Sequence, residues 1–343
     1  MSAPTSVVLF GELLLRLNAE GHARLVQADR LQVYYTGAEA NAGASLAHWG
    51  HEALVVSRVP AHEVGQACVN FLRRYGLDTR YVQRAGERIG LFYVENGASQ
   101  RQSKVIYDRK DSAFTTFDDA QLDWDEVFRG RRWFHFAGTA PAVSPRLVPV
   151  IERACAAARR HGVTVSCDLN FRRKLWTPAQ AQATMTPLMA HVDVLICNEE
   201  DAEMVFGIKA RNTDVQRGRL SREDYVDVAQ QLESRFDFSH VAITLRESHS
   251  ASVNTWSALL YAEGAASFSR SYQIQIVDRI GGGDAFAAGL IHGVCGGMTA
   301  QDTVEFAVAA SCLKHTIPGD FNLVSREEVL ALVGGDGSGR IQR

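Results

Sequence analysis

The sequence lacks the patterns typical of membrane, disulfide-bonded and nucleic-acid-binding proteins. No apolar run reaches the roughly 18–20 residues that a membrane-spanning helix needs. The six cysteines include no C-x-x-C pair and lie mostly in apolar patterns, which predicts reduced core thiols. A formal net charge of −3 gives no field that attracts nucleic acid or an anionic membrane. The first residues show neither a basic segment nor a signal-peptide cleavage site, so we expect a cytoplasmic protein.

Several common catalytic signatures are also missing from the sequence. There is no Walker pattern G-x-x-x-x-G-K-[ST], and no G-x-G-x-x-G follows the first strand-like run, which argues against a nicotinamide-dependent dehydrogenase. The histidines show no H-E-x-x-H spacing, and Ser166-Cys167-Asp168 lacks a nucleophile-elbow pattern. The composition that remains, 46% hydrophobic and 22% charged, is that of a globular protein with a substantial core.

Short apolar runs alternate with helical patterns along most of the chain. Residues 53–59, 133–138 and 240–245 have the length and composition of strands. Residues 63–76 and 145–162 have helical periodicity. This alternation predicts βαβ units and a mostly parallel sheet with helices on both faces. Ligands of such sheets bind outside the carboxyl ends of the strands.

Two segments interrupt the alternation. Residues 13–36 and 88–107 have strand character with no helix between hairpin partners, which predicts a small antiparallel sheet that forms a lid. The remainder is expected to form an α/β core from residues 1–12, 37–87 and 108–333. The polar and basic residues 209–222 predict a surface insertion, and residues 334–343 predict a disordered tail.

The stretch DRIGGGDAFAAGL, residues 278–290, places three glycines before an acidic residue. The apolar spacing after Asp284 is helical, so Gly281, Gly282 and Gly283 are expected at a helix N-terminus. Free amides and the helix dipole attract an anion there. Asp284 then either caps the helix or accepts the proton of a hydroxyl group that attacks a phosphoryl group. These residues alone do not decide between the two interpretations.

The same stretch resembles the C-terminal signature D-T-x-G-A-G-D of the ribokinase-like (PfkB-type) carbohydrate kinases. Residues 34–50, YYTGAEANAGASLAHWG, resemble the family's N-terminal glycine–asparagine motif, and residues 196–207, ICNEEDAEMVFG, resemble its N-x-x-E region. The resemblance extends from about residue 5 to residue 333. It implies a three-layer α/β/α sandwich with a mostly parallel central sheet and a small antiparallel β lid. It also implies ATP and Mg²⁺ as cofactors, the glycine amides as an anion hole, and Asp284 as the catalytic base.

Within this family, several segments are most similar to kinases that phosphorylate 2-keto-3-deoxygluconate. Examples are residues 104–114, 167–176 and 314–322. The resemblance implies that the substrate is bound by Gly37, Asn41, Tyr107, Arg109, Arg172 and Asp320. A guanidinium can hold a carboxylate through two hydrogen bonds, so a pair of arginines suits a sugar acid better than a neutral sugar. For Asp320, a turn after Pro318 and Gly319 is nearly as good an explanation.

The resemblance places ATP near three side chains, those of Asn198, Thr244 and Arg246. Three departures from the family pattern accompany this assignment. Asp201 stands where N-x-x-E has glutamate, so its shorter side chain would hold Mg²⁺ indirectly, through water, at a different spacing. Arg279 stands where the signature usually has threonine. The sequence TLRESHSA also replaces the glycine-containing loop that many relatives have after this strand.

The expected partners are therefore a small sugar acid and ATP, with neither nucleic acid nor membrane. We also expect a homo-oligomer formed through the lid. The pair Tyr34-Tyr35 lies in the lid and packs either at such an interface or within one subunit. Three alternatives remain open: a kinase for 2-keto-3-deoxygalactonate, a kinase for fructose, and a sugar-binding sensor without catalysis.

Overall fold

The structure is a computed structural model that describes residues 4–210, 221–335 and 337. The predicted insertion at 209–222 and the predicted tail at 334–343 lie mostly outside these residues. The strands are β1 (Ser6–Phe10), β2 (Leu14–Ala19), β3 (Leu31–Thr36), β4 (Glu52–Val59), β5 (Asp78–Arg84), β6 (Gly90–Glu95), β7 (Lys104–Asp108), β8 (Trp133–Ala137), β9 (Thr164–Asp168), β10 (Val194–Cys197), β11 (His240–Ser248), β12 (Val253–Ala262), β13 (Ala265–Phe268) and β14 (Tyr272–Gln275). The helices are α1 (Ala38–His48), α2 (Glu63–Arg74), α3 (Trp124–Phe128), α4 (Thr139–Val143), α5 (Val148–Arg160), α6 (Pro178–Leu188), α7 (Glu199–Phe206), α8 (Arg222–Phe236), α9 (Gly282–Cys295), α10 (Ala300–Lys314) and α11 (Arg326–Val333).

One large sheet runs through the core in the order β13-β12-β11-β10-β9-β8-β1-β4-β5, with β14 also paired to β12. The strands from β5 to β11 in this order are all parallel, which confirms the predicted parallel sheet. Beyond β11 the sheet continues as an antiparallel edge formed by β12, β13 and β14. The βα alternation did not predict this edge, because turns rather than helices connect its strands.

Side chains of the central strand β1 alternate between two apolar cores. Val8 and Phe10 pack on one face of the sheet, and Val7 and Leu9 pack on the other. Helices α3 to α8 cover the first face, and helices α1, α2, α9, α10 and α11 cover the second. A strand buried on both faces needs a continuous apolar run, and β1 has the sequence SVVLF. The expected α/β/α sandwich is therefore confirmed.

The second sheet forms the lid and has the order β3-β2-β6-β7. Both of its hairpin pairs are antiparallel, as predicted, and the two hairpins join through a parallel pairing of β2 with β6. The lid's two tyrosines pack within the chain. The Tyr35 ring lies 5.7 Å from that of Phe71, and the Arg16 guanidinium lies 5.1 Å from the Tyr34 ring.

A buried cluster of four charged residues joins the lid to the core: Arg16, Asp278, Lys314 and Asp320. The Arg16 guanidinium is fully buried and donates hydrogen bonds to Asp278, at 2.8 Å, and to Asp320. The Lys314 ammonium, also fully buried, donates to the carbonyl oxygens of Asp278 and Ile317 at 3.5 and 3.3 Å. We call this group the Arg16 cluster. It balances two cations with two carboxylates beside the glycine turn.

All six cysteines are free thiols in the structure, and five of them are buried. In the described part of the chain, no helix is both long and apolar enough to cross a membrane. The same residues contain no group of three or more His, Cys, Asp or Glu side chains that could hold a metal ion.

Candidate active site

A cavity of about 490 Å³ opens between the lid and the carboxyl ends of the parallel strands. This is the location that the sheet topology predicts for a ligand. Twelve of the predicted site residues line it: Gly37, Asn41, Tyr107, Arg109, Arg172, Asn198, Asp201, Thr244, Arg246, Gly281, Gly283 and Asp284. The fold therefore brings together side chains from both ends of the chain and from the lid.

Gly281, Gly282 and Gly283 form the glycine turn at the N-terminus of α9. The three glycines have different surroundings. Gly281 has a φ of +83°, and a Cβ there would lie 2.1 Å from the Asp320 carbonyl oxygen. A Cβ at Gly282 would lie 2.3 Å from the His315 ring, so this glycine allows close packing rather than facing the cavity. Gly283 faces open space in the cavity. The first turn of α9, whose amides have no partner within the helix, therefore borders the cavity, as an anion-binding site requires.

Asp284 is the third residue of α9 and does not cap the helix. Its Oδ2 instead accepts a hydrogen bond of 2.7 Å from the Asn41 side-chain amide. The Thr36 hydroxyl donates to Asn41 Oδ1 at 3.0 Å and thereby fixes which side of the amide faces Asp284. The capping interpretation is therefore not supported, and the carboxyl group faces the cavity.

The environment of the cavity favours protonated carboxyl groups. Burial raises the pKa of Asp284 to about 7, against the hydrogen bond from Asn41, which favours the ionised form. Burial also raises the pKa values of Glu39 and Asp168 to about 8, and that of Asp201 to about 6. A carboxyl group with a pKa near 7 can accept and release a proton at neutral pH, as a general base must.

The two arginines predicted to bind the substrate both line the cavity, but only one of them pairs with a carboxylate. Arg109 donates to Glu12 through two nitrogens, with Nε 2.9 Å from Oε2, and Glu12 also accepts from Ser112. Arg172 is exposed and donates to the Phe171 carbonyl at 3.0 Å, and among the described residues it has no carboxylate at ion-pair distance. Of these two arginines, Arg172 is therefore the one available to a substrate carboxylate, while Glu12 already neutralises Arg109.

On the side where ATP was predicted, Asn198 and Asp201 form the N-terminal capping box of α7. Asn198 Oδ1 accepts from the Asp201 amide at 2.8 Å, and Asp201 Oδ2 accepts from the Asn198 amide at 3.3 Å. Asp201 Oδ1 accepts from the Phe171 amide at 3.1 Å. Both carboxylate oxygens therefore hold backbone in place, and any contact with Mg²⁺ stays a prediction. Thr244 and Arg246 line the cavity at β11.

The prediction that Asp320 contacts the substrate is not supported by the structure. Asp320 does not line the cavity, and its buried carboxylate pairs with Arg16. Its carbonyl oxygen packs against Gly281 instead. The backbone of Asp320 therefore packs behind the glycine turn. Its carboxylate supplies the second negative charge of the Arg16 cluster.

Sequence reasoning missed several ionisable residues of the cavity wall, among them Glu12, Glu39, Asp168 and His315. Two of them could have been predicted from their positions in the sequence, because Asp168 ends β9 and Glu12 shortly follows β1. Both strands end at the edge of the sheet where ligands bind. Glu39 lies in the first turn of α1. His315 follows α10, and only the packing of α10 against α9 brings it to the site. Burial lowers the His315 pKa to about 4, so the ring is neutral.

Comparison with known proteins gives consistent matches over nearly the whole chain. A family model described as pfkB family carbohydrate kinase matches residues 4–324. A 2-dehydro-3-deoxygalactonokinase from Haloferax volcanii is 30% identical over 331 residues, which cover 96% of this chain and 97% of that protein. A 2-dehydro-3-deoxygluconokinase from Bacillus subtilis is 26% identical over 94% of both chains. The crystal structure of a 2-dehydro-3-deoxygluconokinase from Thermotoga maritima has a TM-score of 0.93 and 47% identity, covering 96% of this chain and all of that one.

Proposed function

Since the chain belongs to the PfkB family of carbohydrate kinases, we propose that it transfers the γ-phosphoryl group of ATP to 2-keto-3-deoxygluconate. The product would be 2-keto-3-deoxy-6-phosphogluconate. The observation that carries this proposal is the position of Asp284, which lies in the first turn of α9 and lines the same cavity as Gly281 and Gly283. The unpaired cation of Arg172 in that cavity supports a substrate with a carboxylate.

In the proposed reaction, the sugar's terminal hydroxyl oxygen forms a bond to the γ-phosphorus as the bond from phosphorus to the bridging oxygen of ADP breaks. Asp284 accepts the hydroxyl proton, and Asn41 holds the accepting carboxylate in position. The amides at the N-terminus of α9 stabilise negative charge on the transferring group. No covalent enzyme intermediate is required.

The opposite end of the cavity suits the substrate's carboxylate and hydroxyl groups. Arg172 would bind the carboxylate, and Glu12 and Arg109 would exchange hydrogen bonds with hydroxyl groups. Tyr107 and Phe92 belong to the lid and would cover the sugar. Covering the sugar excludes water, whose attack on the γ-phosphoryl group would hydrolyse ATP.

Mg²⁺ fits the donors on the nucleotide side of the cavity, because it prefers oxygen ligands. Asp168 and Asp201 are the carboxylates that would hold it, directly or through water. Burial is the main cause that raises the pKa values of both groups, and a bound cation would favour their ionised forms. When bound, Mg²⁺ would neutralise charge on the phosphates of the nucleotide.

The pH dependence of the reaction tests the role of Asp284. Only the ionised carboxylate accepts a proton, and its pKa is raised to about 7. The value of kcat/KM for the sugar acid should therefore rise about tenfold per pH unit at low pH and level off above about pH 8. Initial rates between pH 5.5 and 8.5 measure this, with circular dichroism to verify folding. A profile that is flat or falls across this range would contradict the assignment.

The substrate assignment predicts a selectivity that depends on Arg172. Among 2-keto-3-deoxygluconate, its galacto epimer, gluconate and fructose, we expect the first to be phosphorylated with the highest kcat/KM and fructose with the lowest. Arg172→Met should raise the KM for the sugar acid about 10- to 100-fold, through loss of a charge-assisted contact, without changing the KM for ATP. An enzyme-coupled assay of ADP release measures both the order of the kcat/KM values and the change in KM.

A matched control for Arg172 is Arg88→Met, because Arg88 pairs with Asp108 and does not line the cavity. It should leave both KM values unchanged. If fructose were the preferred substrate, the assignment as a kinase would stand and the proposed sugar-acid substrate would be wrong. Preferred turnover of the galacto epimer would favour the second candidate function, which the Haloferax volcanii relative suggests. Binding of sugar acid without turnover would favour a sensor.

We further propose that copies of the chain associate through the lid. Val33 and Ile106, on its two outer strands, each expose 53% of their surface, so a partner's lid would bury apolar area.

Six free thiols fit a reducing compartment such as the cytoplasm.

A further inference from the structure

The charge balance of the cavity wall is uneven. Its arginines are Arg109, Arg172, Arg173, Arg246 and Arg279. Glutamates neutralise two of them, since Arg109 pairs with Glu12 and Arg173 pairs with Glu200. Among the residues that the structure describes, the other three have no carboxylate within ion-pair distance. Arg172 has a role in the proposed binding of the sugar acid, which leaves Arg246 and Arg279.

Arg279 directly precedes the glycine turn, and the protein satisfies its side chain only in part. One terminal nitrogen donates to the Ala251 carbonyl at 3.2 Å, while Nε is buried and has no hydrogen-bond partner. The backbone around it is fixed, because the Ile280 amide donates to Asp278 Oδ1 at 3.1 Å. A guanidinium that is partly withdrawn from water without an anion is unfavourable. An anionic ligand in the cavity would remove this penalty.

Arg246 brings a second unpaired charge to the same region. Burial, and then the charge of Arg246, lower the pKa of Arg279, so the two guanidiniums are close enough to repel. Both also contribute to lowering the pKa of His315, after burial and Lys314, and the His315 ring packs against Gly282. The two arginines therefore concentrate positive charge beside the amides at the start of α9.

We infer that Arg279 and Arg246 together bind the polyphosphate chain of the nucleotide, with Arg279 at the phosphates nearest the glycine amides. This inference rests on the proposed function for the identity of the nucleotide. A polyphosphate carries several negative charges in a short chain, which matches two adjacent guanidiniums that can each form paired hydrogen bonds. Arg279 would add a fixed cation where charge develops on the transferring group.

The test is nucleotide affinity without turnover. Calorimetric titrations in EDTA, without sugar, compare ADP with adenosine for the unaltered protein, Arg279→Met and Arg279→Lys. Arg279→Met should weaken ADP binding about 10- to 100-fold, the effect of losing a charged hydrogen bond, and change adenosine binding less than about threefold. Arg279→Lys should retain part of the ADP affinity, because it keeps the charge but loses the planar geometry.

Arg270→Met is the matched control, because Arg270 pairs with Glu305 and does not line the cavity. It should leave both affinities unchanged. An unchanged ADP affinity in Arg279→Met would overturn the inference. Equal weakening of ADP and adenosine would also overturn it, since that result indicates a structural role through Ala251. ADP binding without phosphorylation of any sugar would refute the proposed function alone. Absence of ADP binding to the unaltered protein, both in EDTA and in a parallel titration with Mg²⁺, would refute both.

Discussion

Asp284→Asn is expected to lower kcat about 10³-fold while the KM for the sugar acid changes little. Asparagine has the same shape, and its side-chain oxygen can still accept the hydrogen bond that Asn41 donates. What it cannot do is take up the proton of the attacking hydroxyl group. The loss should therefore appear in the chemical step, which steady-state kinetics with saturating ATP and sugar acid would measure.

A closely matched control lies on the next helix. Asp302 is the third residue of α10, as Asp284 is of α9, but it is exposed and takes part in capping through Thr299. Asp302→Asn should lower stability by at most about 1 kcal/mol and leave kcat unchanged. If both variants lost activity equally, or if Asp284→Asn kept more than a tenth of kcat, the general-base role would be wrong.

Arg16→Met is expected to lower the free energy of unfolding by about 3–5 kcal/mol. The guanidinium of Arg16 is fully buried between Asp278 and Asp320. Methionine fills much of the same space but leaves two buried carboxylates with Lys314 as the remaining cation of the Arg16 cluster. Urea unfolding followed by tryptophan fluorescence would measure the change.

Two further variants separate the buried charge from other causes of instability. Arg30→Met removes an arginine of the same lid hairpin whose side chain is 86% exposed, so it should change stability by less than about 0.5 kcal/mol. Adding Asp320→Asn to Arg16→Met should recover part of the loss, because it removes one uncompensated charge. If the double variant were less stable than Arg16→Met, the charge-balance explanation would fail.

Local sequence patterns were sufficient for the parts of the molecule that depend on neighbours in the chain. The apolar run of β1 and the βα alternation predicted the parallel sheet, because burial on both faces requires such runs. The helical apolar spacing after Asp284 predicted a helix with the three glycines at its N-terminus, where the structure places the start of α9. Both predictions rest on interactions between residues that are close in sequence.

The predictions that failed or changed depend on partners far away in the chain. Asp320 pairs with Arg16 and does not line the cavity, whereas Arg109 lines the cavity but already pairs with Glu12. Nothing in the segment around Asp320 indicates that a lid strand supplies its counter-charge. Asp201 is a different case, because its capping partner Asn198 is close in sequence, but the resemblance of this segment to the family motif implies metal binding rather than capping.

The Arg16 cluster also constrains how this sequence can diverge. Its members come from a lid strand, the segment before the glycine turn, the end of α10 and the loop beyond it. The two cations and the two carboxylates balance one another, so a single neutral substitution leaves an unbalanced charge in the interior. Viable exchanges therefore require compensating changes at two of these positions. Lid and core, although they are different sheets, must for this reason evolve as one unit.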